Sequence, residues 1–133
     1  MADASNYLRD EFISWMIEES TFPSAPSNLY VSLHTGDPGV DGQNNEVSAT
    51  NYSRYESSPS DWNRPQNNSF SNSTEFIFNQ AQEDWGDISH FAIWDGPDPV
   101  DNMLAVDSLL ESVEINAEDT GVFREGNLSG VFQ

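Results

Sequence analysis

The chain has 133 residues and a mass of 14.9 kDa, and its 23 acidic residues outnumber four basic ones to give a formal net charge of -19. All four bases are arginines, so the chain lacks the basic patch that phosphate backbones require, and binding to nucleic acid or to anionic membranes is excluded. The absence of cysteine excludes disulfides, thiol catalysis and cysteine-ligated metal sites. The length suits one domain with its own core, and we expect residues 1–133 to form it.

The acid excess predicts a densely charged surface. A compact chain of this mass exposes about 7,000 Å², or roughly one acidic group per 300 Å². The screening length is about 8 Å at physiological salt and about 3 Å at molar salt, so molar salt suppresses most of the repulsion. Such self-repulsion is typical of halophilic proteins. The alternative is an acidic disordered segment or a nucleic-acid mimic, and the aromatic content of 12% argues against disorder.

The first predicted element is an amphipathic helix over residues 5–19, which Asp3 or Ser5 can cap and which Pro23 prevents from continuing beyond about residue 22. Two uses of its apolar stripe remain open: packing on the core, which is the default, or docking a neighbouring subunit or capsid protein. The stripe is made by residues at i, i+4, i+7 and i+8 and by two flanking isoleucines, namely Leu8, Phe12, Trp15, Met16, Ile13 and Ile17.

Strand-like patterns follow the helix. In residues 28–35, Leu29, Val31 and Leu33 alternate with polar residues, which is typical of a half-buried strand. A turn at 36–39 ends it, and a second strand is predicted around 52–56. The Ser/Pro/Asn-rich segment 57–72 is predicted to be an exposed excursion.

The second half of the chain contains further short strands. Residues 88–94 alternate, which places Ile88, His90, Ala92 and Trp94 on one face. Residues 103–110 fit a strand or a short helix. Apolar residues near 76–78, 113–115, 122–123 and 128–131 complete a series of short strands. We therefore predict a mainly β fold, an antiparallel β-sandwich over 28–133 behind one N-terminal helix.

Four stretches that span nearly the whole chain follow one another in a characteristic order: ASNYLRDEFISWMI; LYVSLHTGDPG leading into NEVSATNYSRY; WGDISHFAIWD; and NMLAVDSLLESVEINAEDTGVF followed by GNLSG. Together they resemble a family of small structural proteins of tailed viruses, labelled as tail-fibre, minor tail or capsid-surface proteins. The resemblance implies a jelly-roll-like or related β-sandwich and a homo-oligomer, with no catalytic residues. Segment 57–72 is longer and more polar than the family pattern.

This resemblance and the acid excess together predict a virion protein of a haloarchaeal tailed virus, which is assembled in the host cytoplasm. We expect it on the outer capsid surface as a decoration or turret component, as a trimer or pentamer that contacts the major capsid protein or other virion proteins. A tail-tip or tail-fibre protein is the first alternative. A lectin-like module that binds a host surface glycan is the second.

No enzyme activity is expected, since GxSxG, HExxH, P-loop and GxGxxG motifs are all missing. The two histidines, His34 and His90, lie in strand-like segments. Ser89 and His90 near Asp87 are the residue types of acyl transfer. Because neighbours on one strand point to opposite faces, we predict that Ser89 and His90 do not meet.

Some residues are candidates for ligand or partner contacts. Trp85 and Trp94 flank a core-like strand and are predicted to be core residues or interface anchors, together with the helix residues Phe12, Trp15, Met16 and Ile17. Trp62, in a polar stretch, is the best candidate for contact with a partner or glycan. No cofactor is expected, although two acidic groups without EF-hand spacing are weak calcium candidates: Asp37, Asp41 and Glu46, and Asp95, Asp98 and Asp101.

Overall fold

The computed structural model describes residues 2–18, 21–63 and 66–132. The predicted N-terminal helix is shorter than expected, and residues 19 and 20 lie outside the described residues. Within these ranges, no helix is long and apolar enough to cross a membrane. The elements are β1 (Asp3–Ala4), α1 (Asn6–Ile17), β2 (Leu29–His34), β3 (Tyr55–Ser57), a 3-10 helix (Pro59–Asp61), β4 (Ser69–Ser71), β5 (Phe76–Gln80), β6 (Gly86–Trp94), β7 (Met103–Ile115), β8 (Thr120–Phe123) and β9 (Ser129–Val131).

The strands form one large antiparallel sheet and two small antiparallel pairs. The large sheet has the order β1-β7-β6-β2-β3, and the pairs are β4 with β9 and β5 with β8. The ambiguous residues 103–110 are strand, as part of the 13-residue β7. The predicted fold class, a mainly β sandwich with one N-terminal helix, is confirmed.

The main core lies between the large sheet and the two small pairs. Aromatic contacts dominate it: the rings of Tyr55 and Phe76 stack with centroids 4.5 Å apart, and Phe78 meets Phe123 edge-on at 5.5 Å. Full burial of each large apolar side chain stabilises the fold by about 1.5–3 kcal/mol. The core residues with no exposed surface come from both layers, namely Val31, Leu33, Phe76, Ile88, Phe91 and Leu128.

The large sheet is covered on its other face as well. Ala92, Trp94, Met103 and Val106 form a second buried cluster there. The loop between β2 and β3 lies over this cluster, and a Cβ on Gly42 would come within 2.7 Å of both Trp94 and Met103. Residues 31–34 of β2 are consequently buried on both faces. The prediction of a half-buried strand is wrong here, because alternation cannot tell that a loop covers the polar face.

A bulge interrupts the alternation of β6. Ile88 lies opposite Val113 of β7, but His90 lies opposite Ser108, so β7 contains extra residues between the two pairs. The irregularity places Ile88 in the main core, away from the cluster that contains Trp94. The prediction that these two residues share a face is therefore wrong, because a bulge resets the alternation that the sequence pattern assumes.

Segment 57–72 is folded against the core. Trp62 and Phe70 pack against the main core cluster. Asn72 is fully buried, and its Oδ1 accepts hydrogen bonds from the backbone N–H groups of Gly126 and Leu128, each at 3.0 Å. The predicted exposed excursion is wrong for these residues, since aromatic rings and one buried amide hold the polar stretch in place. Residues 64 and 65 lie outside the described residues.

Candidate functional site

Helix α1 is attached to the rest of the protein at its first turn. Ser5 Oγ accepts a hydrogen bond from the backbone N–H of Leu8 at 3.0 Å, which caps the helix. The backbone N–H groups of Ser5 and Asn6 donate to the carbonyl oxygens of Leu104 and Val40, both at 3.0 Å. Ser5 is buried, yet none of the twelve residues of the helix is. The start of α1 is therefore fixed, while the rest of the helix lies on the surface.

The helix turns most of its apolar residues away from the protein. The partly buried residues are Tyr7, Leu8, Glu11 and Ser14, three of which carry polar groups. At 3.6 residues per turn, the apolar residues span about 200° of the helix circumference. A surface helix normally buries its apolar stripe. The default prediction, in which the stripe packs on the core, is therefore wrong, and a docking role stays a prediction.

Six exposed side chains on and beside the helix form an apolar ridge. The ring of Trp15 lies 5.7 Å from that of Phe12 and 6.4 Å from that of Phe22. Taking about 200 Å² for each large side chain, the ridge exposes on the order of 600 Å², at the upper end for a monomer. We call this surface the α1 ridge; its members, each 38–66% exposed, are Phe12, Ile13, Trp15, Met16, Ile17 and Phe22.

Phe22 is absent from the set predicted from the sequence. Helical spacing identifies only residues on α1, and Phe22 follows the helix, next to Pro23. The contact between the Phe22 ring and Trp15 therefore has no counterpart in the helical pattern. The sequence shows only that Phe22 is an aromatic residue directly before a proline, and this does not indicate which surface its ring contacts.

Charge is distributed unevenly around the α1 ridge. None of its six members is acidic, although the chain has 23 acidic residues. Asp10 on α1 and Glu18, which caps the end of the helix, are exposed at the flanks of the ridge, whereas Arg9 lies within the apolar arc. Arg9 Nη2 is 3.8 Å from Asp3 Oδ1, and both side chains are at least half exposed. Such an exposed ion pair contributes little to stability, so the Arg9 guanidinium can exchange Asp3 for another carboxylate.

The tryptophans outside α1 are not exposed anchors. Trp85 and Trp94 are 4% and 0% exposed, so we correct their assignment as interface candidates and place both in the interior. Trp62 is half-buried: its Nε1 donates to Ser57 Oγ at 2.9 Å, and its ring packs edge-on against Phe76 at 5.3 Å. Trp62 therefore does not present the open ring that stacking on a glycan requires.

His34 belongs to a buried chain of hydrogen bonds. Its Nδ1 lies 2.8 Å from the carbonyl oxygen of Asn44, which can only accept, so Nδ1 carries the proton. Its Nε2 then accepts from Ser32 Oγ at 2.7 Å, and that oxygen accepts from Trp94 Nε1 at 2.8 Å. Burial lowers the pKa of His34 and keeps the ring neutral. Both ring nitrogens are occupied, which makes His34 a structural residue.

A buried ion pair lies beside this chain. Arg54 donates from Nε and Nη2 to the two carboxylate oxygens of Glu46 at 3.0 and 2.9 Å, and from Nη1 to the carbonyl oxygen of Asp98 at 2.8 Å. Its guanidinium carbon is 3.6 Å from the ring centroid of Trp94. Burial raises the pKa of Glu46, but hydrogen bonds from Arg54 and Tyr52 and the charge of Arg54 outweigh it, so the pKa lies below its ordinary value.

The two acidic groups considered for calcium do not assemble into a site. Within residues 2–18, 21–63 and 66–132, no three acidic or histidine side chains are placed to hold a metal ion. Glu46 is paired with Arg54. Four of the other carboxylates accept hydrogen bonds inside their own turns: Asp37 from Gly39 N–H, Asp41 from Gln43 N–H, Asp95 from Asn102 N–H and Asp101 from Asp98 N–H. The calcium interpretation thus loses its geometric basis.

Ser89 and His90 meet, contrary to prediction. Ser89 Oγ lies 2.8 Å from His90 Nδ1. The contact occurs in β6 opposite the bulge of β7, where adjacent side chains no longer follow strict alternation. Asp87 precedes the bulge and is exposed. Two adjacent residues are not sufficient for acyl transfer, which also requires a carboxylate that orients the imidazole and donors that bind the oxyanion.

The family comparison covers almost the whole chain. Residues 3–130 match the family model described as podophage GP4 fiber I protein gp80. The chain belongs to this fibre-protein family. No curated protein matches it. The resemblance to structural proteins of tailed viruses is confirmed at the level of the family, and the α1 ridge lies inside the matched residues.

Proposed function

We propose that this protein is a non-enzymatic structural subunit of a tailed-virus fibre and that it assembles through the α1 ridge. The observation that carries the proposal is an apolar helix face turned outward in a member of a fibre-protein family. Covering the ridge removes on the order of 600 Å² of apolar surface from water, which favours association before its entropy cost is counted. Assembly, rather than chemistry on a substrate, is the role.

Charge favours a second copy of this chain as the occupant of the ridge. A basic partner would be recognised best by a surface rich in carboxylates. Two copies of an acidic chain repel each other least where carboxylates are sparse, and the ridge has none among its six members. We therefore propose a homo-oligomer, a trimer or pentamer, in contact with other virion proteins.

The fibre description of the family favours the tail-tip or tail-fibre interpretation over the capsid decoration or turret that we expected first. Immunogold labelling of intact particles with an antibody to this chain tests the location. Label confined to fibres supports the proposal. Label spread over the capsid shell would instead support a decoration protein.

The acidic surface supports a further part of the proposal, that the particle belongs to a virus of a halophilic archaeon. Most of the described acidic residues are exposed, and two lysine-free chains of this charge associate more readily when salt screens their repulsion. We also propose that the virion is assembled in the host cytoplasm. Assembly there requires the chain to fold and associate in concentrated salt.

Sedimentation in molar salt tests assembly through the ridge. We expect the unmodified protein to sediment as an oligomer and the double variant Phe12→Asp, Met16→Asp as a monomer of 14.9 kDa with unchanged circular dichroism. Val100→Asp is the matched control, because Val100 is 90% exposed but is not a member of the α1 ridge. An oligomer that survives the double substitution would contradict the proposal, as would a monomeric unmodified protein.

A further inference from the structure

A second exposed apolar surface lies between β7 and β8. A recess of about 360 Å³ is lined by both strands, and Leu110, Val113 and Val122 on its walls are exposed. Ile77 of β5 lies directly opposite Val122 and extends the apolar surface beyond the recess. Glu111 lines the same recess. We call this surface, with its lining residues Leu110, Glu111, Val113 and Val122, the β7–β8 recess.

The bulge in β7 produces this surface. The extra residues of β7 lie between Ser108 and Val113, at the point where pairing with β6 is interrupted. Leu109 packs against the main core, whereas Leu110 turns outward and is 84% exposed. An acidic or polar residue at this position would meet water at no cost. Leu110 therefore adds to an exposed apolar patch that also includes Val113 and Val122, and such patches mark surfaces that other molecules cover.

The α1 ridge and the β7–β8 recess are complementary. The ridge is a projecting helix face that carries Arg9, while the recess is concave and carries Glu111. Neither surface covers the other within one copy, since Trp15 is 50% and Leu110 84% exposed. A ridge-to-ridge contact between two copies would leave the recess open.

We infer that the α1 ridge of one copy docks into the β7–β8 recess of the next copy, with Arg9 facing Glu111. This inference rests on the proposed assembly through the ridge. Such a head-to-tail contact joins two different surfaces, so each copy keeps one free ridge and one free recess, and repetition produces a closed ring or an open filament. The ridge, on the order of 600 Å², approaches the roughly 800 Å² per partner of a standard interface.

Cysteine cross-linking distinguishes the two contacts, and the chain offers a background without cysteine. A mixture of Met16→Cys and Leu110→Cys variants is oxidised in molar salt. We expect mixed disulfide dimers in the mixture, few dimers from either variant alone, and a ladder of oligomers from a chain that carries both substitutions. Val100→Cys mixed with Met16→Cys is the control and should give few dimers.

Charge reversal gives an independent readout. Arg9→Glu alone and Glu111→Arg alone should each weaken association by about fivefold, because each replaces an attractive exposed pair with a repulsive one. The double variant Arg9→Glu, Glu111→Arg should restore most of the lost affinity. If the double variant instead loses as much affinity as the two single variants combined, Arg9 and Glu111 do not pair.

The outcomes separate this inference from the proposed function. Oligomers that sediment normally but cross-link only between two copies of Met16→Cys would overturn docking into the recess and leave assembly through the ridge intact. A protein that is monomeric in molar salt would overturn both. Mixed dimers together with charge-reversal rescue would support the head-to-tail contact.

Discussion

Arg54 and Glu46 form a buried bidentate ion pair in a chain whose other charges are mostly exposed. The Arg54 side chain is 2% exposed and that of Glu46 20%. The pair connects the loop before β3 to the turn after β6 and places the guanidinium over Trp94. From the sequence, Glu46 looked like one more member of an acidic turn. Its partner could not be predicted, because the eight-residue separation has no helical or strand periodicity that would bring the two together.

Glu46→Gln should destabilise the protein by about 3 kcal/mol at pH 7, because it leaves the buried Arg54 guanidinium without its counter-charge. Folding lowers the pKa of Glu46. The contribution of Glu46 to stability is therefore complete at pH values above its ordinary pKa of 4.5 and is lost as the pH falls through the folded-state pKa. The difference between variant and unmodified protein should therefore shrink below pH 4.5. Urea unfolding at pH 7 and pH 3 in constant molar salt measures both effects.

The exposed pair between Asp3 and Arg9 provides the control for that measurement. Its nitrogen and oxygen are 3.8 Å apart and both side chains are largely in solvent. Asp3→Asn should change the free energy of unfolding by less than about 0.5 kcal/mol. Equal losses in the two variants would mean that burial is not the source of the Glu46 effect.

At the scale of elements, hydrophobic periodicity located most strands and the helix, because it reports a local property of each segment. Periodicity failed where one of two paired strands contains extra residues. Opposite the bulge of β7, the alternation of β6 breaks, so that Ile88 lies in the main core and Ser89 contacts His90. Periodicity also missed the cover over β2, since a loop that packs on a strand face has no period. The loop does so through Gly42, which lies against Trp94 and Met103.

Gly42→Ala should destabilise the fold by about 3 kcal/mol or more, for two reasons. Its backbone has a φ of 76°, which disfavours any side chain, and the added Cβ would overlap Trp94 and Met103. Gly126→Ala is the matched control: its φ is 85°, but nothing lies within 4 Å of the added Cβ, so only about 1 kcal/mol should be lost. Thermal unfolding of the two variants compares them, and similar losses would refute close packing of the loop.

At the scale of the whole molecule, the folded chain distributes a net charge of -19 over an accessible surface of 7717 Å². Most of the described acidic side chains are exposed, and the chain has only four arginines to neutralise its 23 acidic residues. Their repulsion destabilises the compact state at low salt, and added salt removes most of it. Two apolar surfaces, the α1 ridge and the β7–β8 recess, interrupt this acidic exterior.

The melting temperature should rise by about 10 °C between dilute and molar salt, since screening relieves several kcal/mol of repulsion. A variant in which exposed Glu75, Glu118 and Glu125 are replaced by glutamine should show a smaller rise. Differential scanning calorimetry at matched pH measures both. A melting temperature independent of salt would contradict adaptation to concentrated salt, whatever the state of assembly.

The sequence by itself determined the fold class, the position of the helix and of most strands, the acidic exterior and the resemblance to structural proteins of tailed viruses. These properties depend on composition and on local periodicity, which need no knowledge of distant contacts. Only the tertiary structure decided that the apolar face of α1 points outward, that Trp85 and Trp94 are interior, and that Glu46 meets Arg54. The physical reason is that a pattern defines an apolar face or a charge, whereas its partner is chosen by residues brought together from elsewhere in the chain.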